Sequence, residues 1–204
     1  MNEARDGFAT AVLPDGRILI IGGGEVDEFR RVSSPSATIE VFDPLYGDFR
    51  MLDYQLSTAR AYHTATTLPD GSVLVFGGVT GENGGLVADT AELIMPDAAL
   101  PVVSLNLSSG EFTRYHHEAV RLKGDGSVLI AGGYDSAHNL TRSALRYFPN
   151  TREFVEQGPG PNASVDVGPG AGAGVSAGVG AQEQTGTGAT AGAGNGAGDG
   201  QDEA

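Results

Sequence analysis

The chain has 204 residues, no cysteine and a formal net charge of −14. Without thiols it has no disulfides, no thiolate metal ligands and no cysteine nucleophile. The acidic balance, with Lys123 as the only lysine, disfavours nucleic acid as a partner because like charges repel.

A repeat of 55 residues is the main feature of the chain up to residue 157. Its first element is a turn, a short apolar run and a glycine pair: LPDGRILIIGG from Leu13, LPDGSVLVFGG from Leu68 and LKGDGSVLIAGG from Leu122. The glycine pairs at 22–23, 77–78 and 132–133 are 55 residues apart each time. Asp-Gly between short β-branched runs is typical of a hairpin turn between strands.

Two further elements recur in fixed order. The first is TIEVFDP ending at Pro44, TAELIMP ending at Pro96 and SALRYFP ending at Pro149. An aromatic follows five residues later at Phe49 and Phe154, and an insertion in the second copy moves the expected equivalent to Phe112. The second is RAYHTATTL at 60–68 and RYHHEAVRL at 114–122, and we expect the first copy to begin too late to contain it.

The pattern predicts four antiparallel strands per copy and no helix. In the second copy we place them at 61–67, 72–77, 90–95 and either 102–107 or 111–114, with a long loop after each glycine pair. The copies span about 7–54, 60–114 and 115–157. The Gly/Ala-rich, low-complexity acidic segment 158–204 lacks the apolar groups of a core, so we predict a disordered tail.

Repeats of this length built from four strands indicate an all-β fold with β-propeller blades. The glycine pairs, the Glu-Val-Phe-Asp-Pro run at 40–44 and the later Phe resemble the kelch-repeat β-propeller family, in its bacterial type, as in the central domain of galactose oxidase. The resemblance implies a kelch-type propeller with about three blades visible, an incomplete ring since propellers close with four to eight. Either the chain is a fragment with missing blades, which we favour, or it self-associates.

Catalytic, cofactor and metal residues are not assigned. Gly22–Gly24 precede acids rather than a helix, which does not fit a phosphate-binding loop, and a copper-radical oxidase site of the galactose oxidase type needs a cysteine. His63 and His117 stand at equivalent positions, which favours a shared structural hydrogen bond over ligand binding. His116 has no histidine equivalent, and a metal site with His117 is disfavoured because strand neighbours point to opposite faces.

Recognition of a partner is the remaining function. The kelch resemblance implies that the loops 25–36, 79–88 and 134–142 share one rim, with Arg60 and Arg114 near the central mouth. We assign Arg60, Arg114 and His116 to partner binding; the alternative is that the arginines pair with acids of the neighbouring blade.

We expect a non-enzymatic scaffold without cofactor that binds a protein or peptide, or a carbohydrate (glycan). The alternatives are a fragment of a larger secreted enzyme whose active site lies elsewhere and a self-associating structural protein. No membrane span and no signal peptide are visible, so the sequence predicts a soluble chain of unknown compartment; a truncated N-terminus leaves secretion or the cell surface open.

Overall fold

A computed structural model describes residues 1–28, 31–107 and 112–158, and the tail predicted for 158–204 lies outside these residues apart from Gly158. The described chain is all-β and its main elements are three four-stranded antiparallel sheets. Each sheet comes from one copy of the repeat, as the short apolar runs between turns predict. No helix in the described ranges is long and apolar enough to cross a membrane.

The first sheet has the strand order β1-β2-β5-β6. Its strands are β1 (Ala9–Val12), β2 (Ile18–Ile21), β5 (Ile39–Asp43) and β6 (Asp48–Met51). Between β2 and β5 the chain forms a small hairpin of β3 (Gly24–Val26) and β4 (Val32–Pro35).

The second sheet repeats this order as β7-β8-β11-β12. Its strands are β7 (Thr64–Thr67), β8 (Val73–Phe76), β11 (Thr90–Ile94) and β12 (Val102–Asn106). The intervening loop contains β9 (Val79–Thr80), a 3-10 turn (Glu82–Gly84) and β10 (Leu86–Val87).

The third sheet has the order β13-β14-β15-β16. Its strands are β13 (Glu118–Arg121), β14 (Val128–Ala131), β15 (Ala144–Phe148) and β16 (Glu153–Gln157). The loop between β14 and β15 carries single bridges of Tyr134 to Tyr115 and to Leu140.

The fourth strand of the second sheet settles a choice that the sequence left open. It is β12, in which Val102 lies opposite Ile94 just as Phe49 lies opposite Phe42 and Phe154 opposite Tyr147. The expectation that Phe112 takes this place is therefore wrong. The turn between β11 and β12 (95–101) is longer than the turn between β5 and β6 (44–47), and Phe112 packs from the linker before β13 onto the second core.

Alternation along the strands gives every sheet two apolar faces. We call the face toward the following sheet the front face and the opposite one the back face. The first core joins the front of the first sheet to the back of the second. The second core joins the front of the second sheet to the back of the third. The back-face residues Val73, Val75 and Ile94 of the second sheet are 0% exposed as a result.

Antiparallel order places connections at two ends of the sheets. We call loop end the side that carries the described residues between second and third strands (22–28, 31–38, 77–89 and 132–143) and the described parts of the linkers before β7 and β13. The other side, the turn end, carries the tight turns. At Gly16 the turn needs a positive φ of 91°, which glycine adopts without a steric penalty, and its amide donates to Leu13 O at 2.9 Å.

Candidate functional site at the loop end

A buried arginine precedes β7, the first strand of the second sheet, and reaches back across that sheet. The Nη1 of Arg60 donates to the carbonyl oxygens of Gly77 and Thr90, each at 2.9 Å. Its Nη2 donates to Thr90 Oγ1 at 3.0 Å and to Glu92 Oε1 at 2.7 Å. Arg60 and Glu92 are both 0% exposed, so this ion pair is shielded from solvent.

The first sheet contains the same arrangement around Arg5. Its Nη1 donates to Gly22 O at 2.7 Å and to Thr38 O at 3.2 Å, and its Nη2 reaches Glu40 Oε1 at 3.0 Å. The expectation that the first copy lacks the Arg-led element is therefore wrong. The spacing from Arg5 to Arg60 could have found it, but the following residues, DGF against AYH, concealed the match.

The two carboxylates also hold the chain segments that lead into the arginines. Glu92 accepts the amides of Ser57 at 2.6 Å and Thr58 at 3.1 Å. Glu40 accepts those of Asn2 at 2.6 Å and Glu3 at 3.3 Å. Burial alone would raise the pKa of Glu40, but these amides and the Arg5 charge outweigh it and lower the pKa.

The third copy departs from this pattern because Leu145 stands where Glu40 and Glu92 stand. Arg114 donates to Ser143 O at 3.0 Å and Ser143 Oγ at 2.9 Å, and its Nε has no partner in the described ranges. It is only 1% exposed, and burial lowers its pKa. The third arginine is thus a buried cation held by neutral acceptors.

Arg60 and Arg114, which the sequence assigned to partner binding, lie at the loop end but with their guanidinium groups directed inward. Arg60 pairs with an acid of its own sheet, so the alternative of a neighbouring-blade acid does not describe it. Their assignment to partner binding stays a prediction, and the contacts give both side chains a positioning role. These contacts fix the chain segment that enters each sheet, just ahead of Tyr62 and His116.

The carbonyl groups of these arginines join successive sheets through the glycine pairs. Gly23 N donates to Arg60 O at 2.9 Å, and Gly78 N donates to Arg114 O at 2.8 Å. A Cβ on Gly22 would lie 2.6 Å from Arg60 O, and one on Gly77 would collide with Arg114 O. The glycine pair is therefore a site of close backbone approach between sheets.

Two residues after each arginine the backbone takes a left-handed conformation. The φ angles are 63° at Gly7, 56° at Tyr62 and 53° at His116. The Tyr62 amide donates to Gly7 O at 2.7 Å, and the His116 amide donates to Tyr62 O at 3.1 Å. The Tyr62 and His116 rings are in contact, with centroids 4.2 Å apart and planes tilted by 33°, so one row of residues crosses all three copies.

His63 and His117 lie beneath this row, 6% and 5% exposed. His117 Nε2 bonds Thr64 Oγ1 at 2.8 Å, as the structural prediction expects, whereas neither His63 nitrogen makes a hydrogen bond of ordinary geometry. Burial, and then the neighbouring arginine charges, lower the pKa of each histidine to about 3. Both imidazoles are neutral at physiological pH.

An aromatic group continues the row on the third copy. Tyr115 and Tyr134 stack at 5.3 Å, and Tyr115 Oη bonds His138 Nδ1 at 2.9 Å. His116 lies 5.4 Å from the Tyr115 ring and is itself exposed. Sequence reasoning singled out His116 but missed Tyr115, Tyr134 and His138, since only the loop conformation brings them together.

The loops themselves rest on a small core of their own. Val32, Ala61 and Val79 are buried together, with Tyr62 and Tyr115 packed against them. Among the described residues, each of the three loops also exposes a large apolar side chain. These are Val26 at 40%, Leu86 at 65% and Leu140 at 73%. The loop end is therefore a preformed surface with apolar and aromatic groups facing solvent.

A pocket of about 190 Å³ opens beside the row, next to the residues that lead into β1, β7 and β13. Gly7, Tyr62, His63, His116 and Glu118 are among its lining residues. Within the part of the chain that the structure describes, no three His, Cys, Asp or Glu side chains are grouped to hold a metal ion. What this arrangement offers is stacking faces, imidazole hydrogen bonds and apolar contact.

Comparison with known proteins finds neither a matching family model nor a matching curated relative.

Proposed function

We propose that the chain is a kelch-type β-propeller segment that acts as a non-enzymatic scaffold and binds a protein partner at its loop end. The left-handed Tyr62 and His116 carry this proposal. At the same place in the first copy Gly7 adopts that backbone without strain, whereas a bulky residue costs on the order of 1 kcal/mol there. Such strain is common at recognition sites, where the side chain itself is needed.

The surroundings of His116 support a protein partner. Exposed aliphatic residues from three separate loops, next to aromatic rings with polar tips, have the composition of a protein-binding surface. The small core beneath the loops holds them in place before binding, which reduces the entropy lost on association.

A carbohydrate is the second candidate ligand, favoured by the group of Tyr115, Tyr134 and His138. Aromatic faces beside hydroxyl and imidazole groups suit a ligand that has both apolar faces and hydroxyls. The same surface would serve either ligand class, and binding to peptide and glycan arrays distinguishes the two.

The test applies the full-length protein to peptide and glycan arrays and then measures the affinity of its hits with variants. His116→Gly removes the ring and relieves the left-handed backbone, so it should weaken binding about tenfold or more without loss of thermal stability. Arg152→Gly is the matched control, because Arg152 has a φ of 59° in a turn at the opposite end.

Binding of peptides alone supports a protein partner, and binding of glycans alone supports the second candidate. Two results count against the proposal: no hit on either array, or hits whose affinity His116→Gly and Arg152→Gly change equally.

A further inference from the structure

The contact between the first and second sheets is built from three parts. The front face of one sheet packs on the back face of the next, forming the first core. The Arg60 carbonyl binds the amide of Gly23, and the Tyr62 amide binds the Gly7 carbonyl. The contact between second and third sheets has the same three parts at the equivalent positions.

The third sheet has the groups that form one side of this contact, a front face and a glycine pair. Among the described residues these groups have no partner. Gly132 has a φ of 70°, and no atom lies within 4 Å of a Cβ built on it. At the equivalent Gly77 such a Cβ meets the Arg114 carbonyl. The glycine pair 132–133 thus keeps the shape of a carbonyl-binding site, with open space where the arginine carbonyl would lie.

The first sheet has the groups that form the other side of the contact, a back face and the arginine carbonyl that precedes the sheet. Its back face carries the ring pair Phe42–Phe49, with centroids 4.8 Å apart and planes at 43°. The back face of the third sheet carries Tyr147–Phe154 in the same geometry, 4.8 Å and 43°. There Phe154 is covered by Phe76 of the second sheet at 5.3 Å, whereas Phe49 is 38% exposed.

The segment before the first sheet also contains the arginine that this contact requires. The side chain of Arg5 is held by acceptors equivalent to those of Arg60, and its carbonyl group stands at the equivalent position of the chain, 55 residues earlier. In the described ranges this carbonyl accepts no hydrogen bond, whereas those of Arg60 and Arg114 each bind a glycine amide.

We propose that two copies of this chain associate head to tail, with the third sheet of each packing its front face on the first sheet of the other. The Arg5 carbonyl of one copy would bind the Gly132–Gly133 pair of its partner. Because the described part of each copy has three four-stranded sheets, two such contacts give a ring of six, within the four to eight of closed propellers. This inference concerns assembly and does not depend on the proposed ligand surface.

The residue at position 146 indicates how tightly two copies would associate. Arg146 lies on the front face of the third sheet where Val41 and Leu93 supply apolar groups to the two internal cores. It is held at the surface by Ser127 and Asp125. We therefore expect an association that is reversible and that Arg146→Leu tightens.

The experiment is sedimentation velocity of the full-length chain over a concentration series from about 1 to 200 μM, a range that covers typical reversible associations. The expected result is conversion from a 20.9 kDa species to one of twice that mass. Gly132→Ala should weaken the association about tenfold or more, because its methyl group occupies the carbonyl site. Gly47→Ala is the matched control, with the same φ of 70° and the same open space, but in a turn between β5 and β6.

A second pair of variants tests the other half of the contact. Phe49→Lys, in β6, should abolish the dimer. Tyr46→Lys, in the turn that precedes β6 and at a side chain that is 76% exposed, should not. Thermal melting of each variant confirms that the sheets remain folded. A chain that stays at 20.9 kDa throughout overturns the proposal. So does an oligomer that Gly132→Ala and Phe49→Lys leave intact.

Discussion

Acid should destabilise this protein through two buried histidines. His63 and His117 have pKa values of about 3 in the folded chain, against about 6.5 in an unfolded one. Because the unfolded state binds the protons first, the free energy of unfolding falls as the pH drops below about 6.5 and keeps falling until about 3. Above pH 6.5 neither histidine changes the stability.

The size of the effect at pH 5.0 depends only on the folded pKa lying well below 5. Each histidine then contributes a loss of about 2 kcal/mol relative to pH 7.5, and the pair about 4 kcal/mol. That is a large part of the 5–15 kcal/mol typical of a domain. Even a folded pKa one unit higher than about 3 would leave this figure almost unchanged.

The assay is urea unfolding at pH 7.5 and 5.0 for the natural protein and the double variant His63→Phe/His117→Phe. Phenylalanine suits the position because Phe8 occupies it in the first copy. Loss of the Thr64 hydrogen bond lowers the variant's free energy of unfolding by the same amount at both pH values. Titration of the carboxylates affects both proteins equally, so it cancels in the comparison. The natural protein should therefore lose about 4 kcal/mol more on acidification. A difference below about 0.5 kcal/mol would contradict this prediction, since the two imidazoles would then have ordinary pKa values in the folded chain.

Three further changes test the internal contacts by the same unfolding assay at neutral pH. Glu92→Gln should cost about 3–5 kcal/mol, because it leaves the Arg60 charge buried without its counterion. Leu145→Glu should lower the free energy of unfolding by about 2 kcal/mol less than Leu93→Glu does, because the new carboxylate at 145 stands where Glu92 does and can pair with the buried Arg114. Equal losses for the two variants would contradict this. Gly77→Ala should cost at least about 2 kcal/mol more than the same change at an open turn glycine, because its methyl group meets a backbone carbonyl of the next sheet; a cost equal to that of the open glycine would contradict it.

The repeat spacing predicted the three four-stranded sheets, because a 55-residue period and short alternating runs determine where strands begin and which faces are apolar. It left the fourth strand of the second sheet open, since the insertion offers two runs of strand length. Arg5 escaped notice because its neighbours do not resemble those of Arg60. In the first case the information lay in the register of β12 against β11, and in the second in a side-chain contact of Arg5 with Glu40, 35 residues away.

The loop end was harder to predict than the sheets. The sequence singled out His116 because it breaks the repeat, but its stacking on Tyr62 depends on a left-handed backbone that propensity disfavours for both residues. Tyr115, Tyr134 and His138 meet only through the path of an irregular loop. The kelch resemblance and the function that it implies stay predictions, since they concern ring closure and ligands.

The missing carboxylate of the third copy has a consequence for how the molecule unfolds. Glu40 and Glu92 each tie the strand they occupy to the peptide that enters their sheet, so in the first two copies a local opening must break an ion pair and amide bonds at once. The third copy replaces these with serine acceptors and apolar packing. Cooperativity is therefore uneven along the chain. Amide hydrogens of the third sheet should exchange through partial openings at which those of the first two remain protected.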